Sequence, residues 1–485
     1  MEINKLSGKE VLRNSFWKLF ESVGSSGIQF LITVVLARLL TPHDYGLMAI
    51  VLVAITFLGL FINSGISSYL VYIKDIRKED FLTTLLINIA TSIFLIVLLV
   101  ASSSWIAGYY NAPSLSPLII AMSITLPFNA MSAVYNAYAQ KLSHFKTLFI
   151  RNMVALPISG TLALVMAYSG YGVWALVAQQ ISNSVLLALI MVFTIKVDID
   201  GNWSFDSKIV KPMLSYGGYT LLATIIAFIS DNISDLLIAK RISPKQLGYY
   251  SRGCHFPSSF ANIGNSVLCG VLFPAFASYT SDIKELKEKF RKTIRILYYG
   301  MFPLFLGLIA CSKPFVMALL TEKWAESIPV MQLICLYFLI IPFLQTCSQV
   351  SLATGYVKLR MFGEVVKLVF VLPLLFVFIN FGIIGVALSR VILNILLIFF
   401  SMFINRRIME YRYRELVKDM FNPFCLGLLI FVSMYPLIFL PLNFTIILIA
   451  QIIVGLTLYA ISIKMLKIKE MEELKAMVMA KVRKS

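Results

Sequence analysis

Charged residues are scarce in this sequence, and long polar stretches are missing. Only 14% of the 485 residues are charged, whereas 59% are hydrophobic, and soluble globular domains are roughly one-quarter charged. The apolar residues form stretches of roughly 20 to 25, and about 20 residues of helix cross the hydrocarbon core of a bilayer. The short alternating segments of membrane barrels are missing too. The composition therefore predicts an all-α polytopic membrane protein.

Cysteine and histidine lack the spacing of a site. The six cysteines show no C-x-x-C or metal-binding pattern, and the three histidines are scattered. We therefore expect reduced core cysteines, no metal and no cofactor. The first residues are polar and carry no signal-peptide cleavage site, so we expect the N-terminus to be retained.

The apolar stretches predict about fourteen transmembrane helices. Most of the 42 Lys and Arg residues lie in alternate connections, the two termini included, and the positive-inside rule then places both termini in the cytoplasm. The net charge of +18 thus follows the membrane, and we do not expect a nucleic-acid partner. The predicted spans are 12–40, 44–73, 80–107, 115–140, 145–168, 171–194, 209–240, 245–280, 290–311, 326–353, 358–380, 382–405, 420–440 and 443–466.

An internal repeat indicates a duplicated architecture. The sequence ARLLTPHDYG at 37–46 matches AKRISPKQLG at 239–248, and a weaker match relates the start of span 6 to the start of span 12. Because all four sites lie in connections on the same side, we predict two six-helix lobes related by a pseudo-twofold axis along the membrane normal. The simpler interpretation is that Pro and Gly only mark helix ends here.

The domains predicted on this basis follow the repeat. From Phe421 to Ile463, spans 13 and 14 have no charged residue, and they are expected to face lipid or the lipid part of a substrate. The predicted divisions are an N-lobe at 1–195, a cytoplasmic amphipathic linker at 196–208, a C-lobe at 209–406, the helix pair at 407–466 and a cytoplasmic tail at 467–485, the linker and tail lying on the membrane surface.

Polar side chains inside the predicted spans mark the candidate site, because exposing each to lipid costs roughly 2.5 to 3.5 kcal/mol. We expect them to line a central cavity, where an arginine fork can bind oxyanions. Lys18 with Glu21, and Glu364 with Lys367, could instead neutralise each other. The candidate cationic residues are Arg38, Arg252, Arg390, Lys367 and Lys18; the candidate polar lining is Gln29, Asn63, Asn136, Gln179, Asn183, Asn265 and Asn394; acids within the spans are Asp231, Asp235 and Glu364.

Three strings carry a family resemblance. They are VLAR at 35–38, LFPAFA at 272–277, and EKW at 322–324 followed by IPVMQLIC at 328–335. With these strings the chain resembles the Wzx-type polysaccharide flippases of the multidrug/oligosaccharidyl-lipid/polysaccharide exporter superfamily, in particular the branch that handles colanic and teichuronic acids.

The resemblance implies a transporter rather than an enzyme. It implies a bacterial inner-membrane protein that turns an undecaprenyl-pyrophosphate-linked oligosaccharide from the cytoplasmic to the outer leaflet by alternating access. The product would serve a surface polysaccharide such as lipopolysaccharide, capsule or exopolysaccharide, and a polymerase or export machinery would be a partner. Coupling to a Na⁺ or H⁺ gradient is proposed for relatives of this kind, and by position the candidate ion-coupling acids are Asp231, Asp235 and Glu364.

Other functions remain open at the level of sequence. An exporter of soluble organic cations would need an acidic pocket, whereas this chain also has arginines at membrane depth. A membrane-embedded polysaccharide polymerase or ligase usually has a sizeable outer loop, and the outer loops predicted here are short. A membrane scaffold leaves the many ionisable groups in the spans unexplained.

Overall fold

The computed structural model describes most of the chain. The described residues are 8–62, 67, 69–70, 73, 76–142, 144–195, 197, 199, 201–277 and 282–466. Within them, the side chains of 8–20, 22–23, 214, 216–217, 219–220, 223, 263–277, 357–361 and 466 are left out of the description.

The described residues are almost entirely helical, as the composition predicts. Fifteen α-helices follow one another: α1 (Gly8–Leu39), α2 (Pro42–Leu60), α3 (Lys78–Tyr109), α4 (Leu115–Ser123), α5 (Thr125–Lys141), α6 (Phe145–Tyr168), α7 (Val173–Thr194), α8 (Val210–Arg241), α9 (Pro244–Ala277), α10 (Ile283–Phe315), α11 (Ile328–Ala353), α12 (Val357–Phe378), α13 (Gly382–Met409), α14 (Tyr413–Met434) and α15 (Phe444–Leu466).

Local chemistry determines where these helices begin. At α2 the Thr41 hydroxyl accepts a hydrogen bond from the backbone N–H of Asp44, and the Asp44 carboxylate accepts one from the N–H of Thr41 at 2.9 Å. This reciprocal pair satisfies two amides that a helix start leaves free. Pro42 occupies the first turn, where its missing N–H costs nothing. The T-P pair of the repeat is therefore a helix start.

The predicted spans overlap these helices, one of them being divided between α4 and α5, and most of 63–73 at the end of predicted span 2 lies outside the described residues. Ten helical segments of the described chain are long and apolar enough to cross a membrane. Many large side chains on them are exposed, among them Phe193 at 81% and Leu456 at 64%. Apolar surface of this extent needs lipid around it. The all-α, multi-pass fold is confirmed, while the number of crossings stays a prediction.

The chain divides into two compact units: the first comprises Met1–Gly248 and the second Tyr249–Ser485. In the first unit α6 packs against both α1 and α7, and α3 packs against α4 and α5. Its described core is centred on Phe81, whose ring makes edge contacts with Tyr135 and Tyr138 at 5.2 and 5.7 Å between centroids. The Ala-rich faces of α5 and α6 allow this close packing.

The connection between α7 and α8 returns to the start of α3. The Asn202 N–H donates to Glu79 Oε1 at 2.7 Å, and the Asp206 N–H donates to the Thr83 hydroxyl at 2.9 Å. Gly201 has a φ of 108° and lies directly over the Glu79 carboxylate. The described residues of this connection form no regular secondary structure before a short 3₁₀ turn at Ser207–Ile209. The predicted linker is thus fixed to α3 by hydrogen bonds.

In the second unit α10 is the central helix. It packs against α11, α14 and α15, while α13 packs against α11 and α12. The α14–α15 pair is joined to α10 by polar as well as apolar contacts. Gln451 is fully buried, and its amide donates to the carbonyl of Met434 at 2.9 Å. Met434 ends α14, so this bond satisfies a carbonyl that would otherwise face hydrocarbon.

Candidate functional site

A buried arginine is the centre of a polar network in the first unit. Arg151, on α6, is only 8% exposed. Its Nη1 donates to the side-chain oxygen of Asn136 on α5, and its Nε and Nη2 donate to Asn152 Oδ1 at 3.2 and 3.1 Å. Asn152 in turn donates to Glu21 Oε1 on α1 at 2.8 Å. Three helices thus hold one guanidinium.

The network binds Arg151 mainly through neutral side chains. Its direct hydrogen-bond partners are amides, and the carboxylate of Glu21 acts on its charge both through Asn152 and through space. A guanidinium has five N–H groups, and these bonds use three of them. Arg151 lies six residues into α6, about 9 Å along the helix at 1.5 Å per residue. A planar, charged fork at that depth matches a phosphate or carboxylate group.

Two further predicted residues of this unit lie on one face of α7. Gln179 is 7% exposed, and Asn183, one turn on, has a buried Oδ1 that accepts no hydrogen bond from the described residues. An unpaired amide oxygen inside a helical lobe is costly and needs a donor from water or from a ligand. We therefore include Asn183 with Asn136 as a candidate contact for polar groups of a substrate.

The remaining predicted residues of the first unit lie closer to its surface. Gln29 and Asp235 are half-buried, whereas Arg38 and Asp231 are exposed. Arg38 and Gln29 belong to α1, and the two aspartates lie one turn apart on α8, as their spacing predicts. Asn63 lies outside the described residues, and the side chain of Lys18 is outside the description.

In the second unit, Arg390 packs against the helix that carries Arg252. The Arg390 guanidinium lies 5.7 Å from the centre of the Tyr250 ring on α9, within the range of a cation–π contact. Asn394, 3% exposed, donates to the Arg390 carbonyl at 2.8 Å. Arg252, also on α9, is half-buried. Arg252 on α9 and Arg390 on α13 thus lie on two helices that meet at the contact between Arg390 and Tyr250.

Three other predicted residues of this unit complete the set. On α12, Lys367 is half-buried and Glu364 is exposed. Asn265 lies in α9, and its side chain is outside the description.

A groove of about 560 Å³ opens near α14, with almost entirely apolar walls that include Leu306, Leu333 and Phe424. This chemistry suits an acyl or prenyl chain.

Two elements of this arrangement do not appear in the sequence prediction. Arg151 was missed, although a basic residue six positions inside an apolar span, next to an asparagine, is a usable signal.

The second element joins α10 to α14: Arg291 binds Asp419 in bidentate fashion at 2.8 and 2.9 Å, and Lys287 pairs with Glu415 at 2.9 Å. The side chain of Asp419 is 2% exposed, and burial raises the pKa of its neighbour Tyr411. Spacing of four residues on both helices could have indicated this pairing.

The fold and these buried basic groups define a class: a multi-pass, all-helical membrane protein of transporter type. Residues 35–329, more than half of the chain, match the family described as polysaccharide biosynthesis protein. The chain belongs to this family, as the resemblance predicts.

Individual relatives agree with the family. The lipopolysaccharide biosynthesis protein WzxC of Escherichia coli K12 is 25% identical over 432 residues, which cover 88% of each chain. The succinoglycan biosynthesis transport protein ExoT of Rhizobium meliloti is 24% identical, over 68% of this chain and 67% of its own. Among solved structures, the inward closed lipid II flippase MurJ has a TM-score of 0.74 at 15% identity, over 93% of this chain and 98% of its own. The likeness to MurJ shows the shared fold, and the names of these relatives support a transporter rather than an enzyme.

Proposed function

We propose that this chain is a flippase for a lipid-linked oligosaccharide. It would turn an undecaprenyl-pyrophosphate-linked repeat unit from the cytoplasmic to the outer leaflet of a bacterial inner membrane, for export of a surface polysaccharide. The observation that carries the proposal is Arg151: a charged fork held by amides inside a lobe whose outside is apolar. The relatives named for polysaccharide biosynthesis and transport support the same substrate class.

The chemistry of the chain can be divided among the parts of such a substrate. Arg151 and Arg390 would attract the pyrophosphate, because guanidinium groups bind phosphate oxygens in pairs. Amides such as Asn136 and Asn183 would contact sugar hydroxyls. The prenyl tail would remain in lipid or lie in the apolar groove beside α14, since transferring it into a polar cavity would be unfavourable.

The driving force is part of the proposal. Alternating access driven by a Na⁺ or H⁺ gradient would require an acid that binds the ion, and Asp231, Asp235 and Glu364 remain candidates. Both termini would lie in the cytoplasm, and a polymerase or export machinery would receive the product. A cation-coupled exporter of soluble organic molecules is the second candidate function, and the acids exposed on α8 and α12 are the feature that would favour it.

A vesicle experiment tests the proposal directly. The full-length protein is reconstituted in liposomes with an undecaprenyl-pyrophosphate oligosaccharide that carries a fluorophore on its sugar, and transfer is read from quenching by an impermeant reductant. We expect transfer by the wild-type chain and a loss of roughly tenfold or more in Arg151→Ala, because its charge-assisted hydrogen bonds are removed. Arg241→Ala, an exposed arginine of the same unit, is the matched control. Equal transfer by the Arg151 and Arg241 variants would reject the proposed site, and no transfer by the wild type would reject the function.

A further inference from the structure

A shelf of aromatic rings lies at the end of α3, opposite its basic start at Lys78. Trp105 and Tyr109 are one helical turn apart, and their rings stack at 5.9 Å between centroids with an interplanar angle of 24°. Tyr110 meets Tyr109 edge to face at 5.1 Å. Trp105 is 72% exposed. Trp105 and Tyr109 turn stacked ring faces to the outside of the protein, and the half-buried Tyr110 stands edge-on to Tyr109 behind them; the three residues form the aromatic shelf.

A lysine fixes the middle of the aromatic shelf. The Lys240 ammonium lies 4.2 Å from the centre of the Tyr109 ring and donates a hydrogen bond to the Tyr109 carbonyl. Lys240 comes from the end of α8, so two distant segments meet at this point. The contact places a positive charge beside the aromatic rings while leaving Trp105 open.

Next to the aromatic shelf is a pocket of small and polar residues. It has a volume of about 470 Å³, within the range of roughly 300 to 1,000 Å³ typical of small-molecule sites. Asn111, with a φ of 52°, ends the helix here and is exposed. Burial raises the pKa of Tyr110 to about 12, so its hydroxyl stays protonated and able to donate. The walls of the pocket are Ser104, Ala107, Gly108, Asn111, Pro113 and Ser116.

The ligand chemistry follows from this combination. A sugar ring has a C–H face that stacks on an aromatic ring and a rim of hydroxyls that needs hydrogen-bonding groups beside it. The aromatic shelf supplies the ring on which a sugar can stack. The pocket, with Asn111 and Ser104, supplies the groups that hydrogen-bond to its hydroxyls. The ammonium of Lys240 favours sugars that carry a carboxylate.

We infer that the aromatic shelf and its pocket form a binding site for acidic carbohydrate at the end of α3 and α8. The inference rests on the proposed function, under which this end faces the outside and meets the oligosaccharide after it has crossed. The site would hold the sugar headgroup away from the membrane and so disfavour its return. Aromatic and lysine residues at membrane interfaces also act as anchors, but an anchor does not need a pocket with hydroxyl and amide groups beside it.

Binding is measured with the full-length protein in lipid nanodiscs, by saturation-transfer NMR. The probes are tetragalacturonate, which is acidic, and maltotetraose, which is neutral and of the same length. We expect tetragalacturonate to bind, and Trp105→Ala to weaken its binding roughly tenfold. Lys240→Gln should weaken the binding of tetragalacturonate and leave the binding of maltotetraose unchanged. Trp174→Ala removes another exposed tryptophan of the same unit and is the matched control.

The outcomes separate the site from the function. A thermal unfolding scan of each variant, together with Trp105→Phe, which keeps an aromatic face, excludes misfolding as the cause of lost binding. If wild type binds neither probe, or if Trp105→Ala and Trp174→Ala bind equally well, the aromatic shelf is only a membrane anchor and the inference is wrong. If lipid-linked oligosaccharide still crosses vesicles in that case, the proposed function stands without it. If sugar binds but nothing crosses, the proposed function fails and the site remains.

Discussion

Gly46 and Gly248 pack against each other's helix starts in a reciprocal way. A Cβ atom on Gly46 would overlap the carbonyl oxygen of Pro244, and a Cβ on Gly248 would overlap that of Pro42. Each added Cβ would also lie 3.2 Å from the backbone nitrogen of the other glycine. The two copies of the repeat therefore touch each other through the same two positions. Only a residue without a side chain allows backbones to approach this closely.

Substitution of either glycine should separate the two helix starts. We expect Gly46→Ala or Gly248→Ala to destabilise the protein by at least about 2 kcal/mol, since the clashing atom is a backbone oxygen that cannot rotate away. The free energy of unfolding in detergent measures this change. Gly27→Ala is the control, because Gly27 has open space at its Cβ position. Variants at 46 and 248 as stable as this control would show that the contact is not required.

The repeat illustrates which features of the structure can be predicted from the sequence and which cannot. The capping box at Thr41 and Asp44 agrees with the simpler interpretation that the Pro and Gly positions of the repeat mark helix ends, while the two six-helix lobes stay a prediction. The contact between the two copies could not be predicted, because a glycine against a carbonyl leaves no side-chain pattern. Arg151 illustrates the opposite case: its position in a span was visible, but its partners on α1 and α5 lie 130 and 15 residues away, a pairing that only packing determines.

The link between Glu21 and Arg151 can be measured as a coupling energy. We expect Glu21→Met and Arg151→Met each to reduce stability by roughly 1 to 3 kcal/mol, because each leaves the partners in the network with an unsatisfied group. The double variant should lose less than the sum. The difference in a double-mutant cycle, roughly 0.5 to 3 kcal/mol, is the quantity to determine by denaturant unfolding. Additive losses would show that Asn152 does not connect the two charges.

The ion pair between Arg291 and Asp419 should be the main polar contact that holds α14 against α10. Asp419→Ala leaves Arg291 without its bidentate carboxylate, and breaking a buried pair in this way costs roughly 3 to 5 kcal/mol. The nearby pair of Lys287 and Glu415 is more exposed, so Lys287→Ala should cost no more than about 1 kcal/mol. Unfolding midpoints of both variants in the same detergent make the comparison, and equal losses would contradict the ranking.

Thr321 is held in a backbone conformation that suits glycine. It has φ 85° and ψ 167° between the π-helical end at Val316–Leu320 and the 3₁₀ turn at Glu322–Ser327, and a β-branched residue is strained there. Thr321→Gly should therefore stabilise the protein, by roughly 1 to 2 kcal/mol. Thr354→Gly, where φ is −88°, is the control and should destabilise. A lower melting temperature for Thr321→Gly would mean that its side chain outweighs the strain.

Arg390 should affect transport more than stability. Its cation–π contact with Tyr250 contributes roughly 0.5 to 2 kcal/mol, and the unfolding midpoint of Arg390→Met measures the whole stability contribution of the side chain. Its charge is the property that a pyrophosphate would recognise, and we expect transfer in the vesicle assay to fall roughly tenfold or more. Arg390→Lys, which keeps the charge but loses the planar fork, should retain part of the rate.

Tyr250→Phe separates the two roles of this arginine. The variant keeps the ring beneath the guanidinium, so its transfer rate should equal that of wild type if the ring only positions Arg390. Tyr250→Ala is not a usable comparison, because the ring is only 1% exposed and its removal should destabilise the protein by roughly 3 to 5 kcal/mol. If Arg390→Met transfers at the wild-type rate, Arg390 is not a substrate contact.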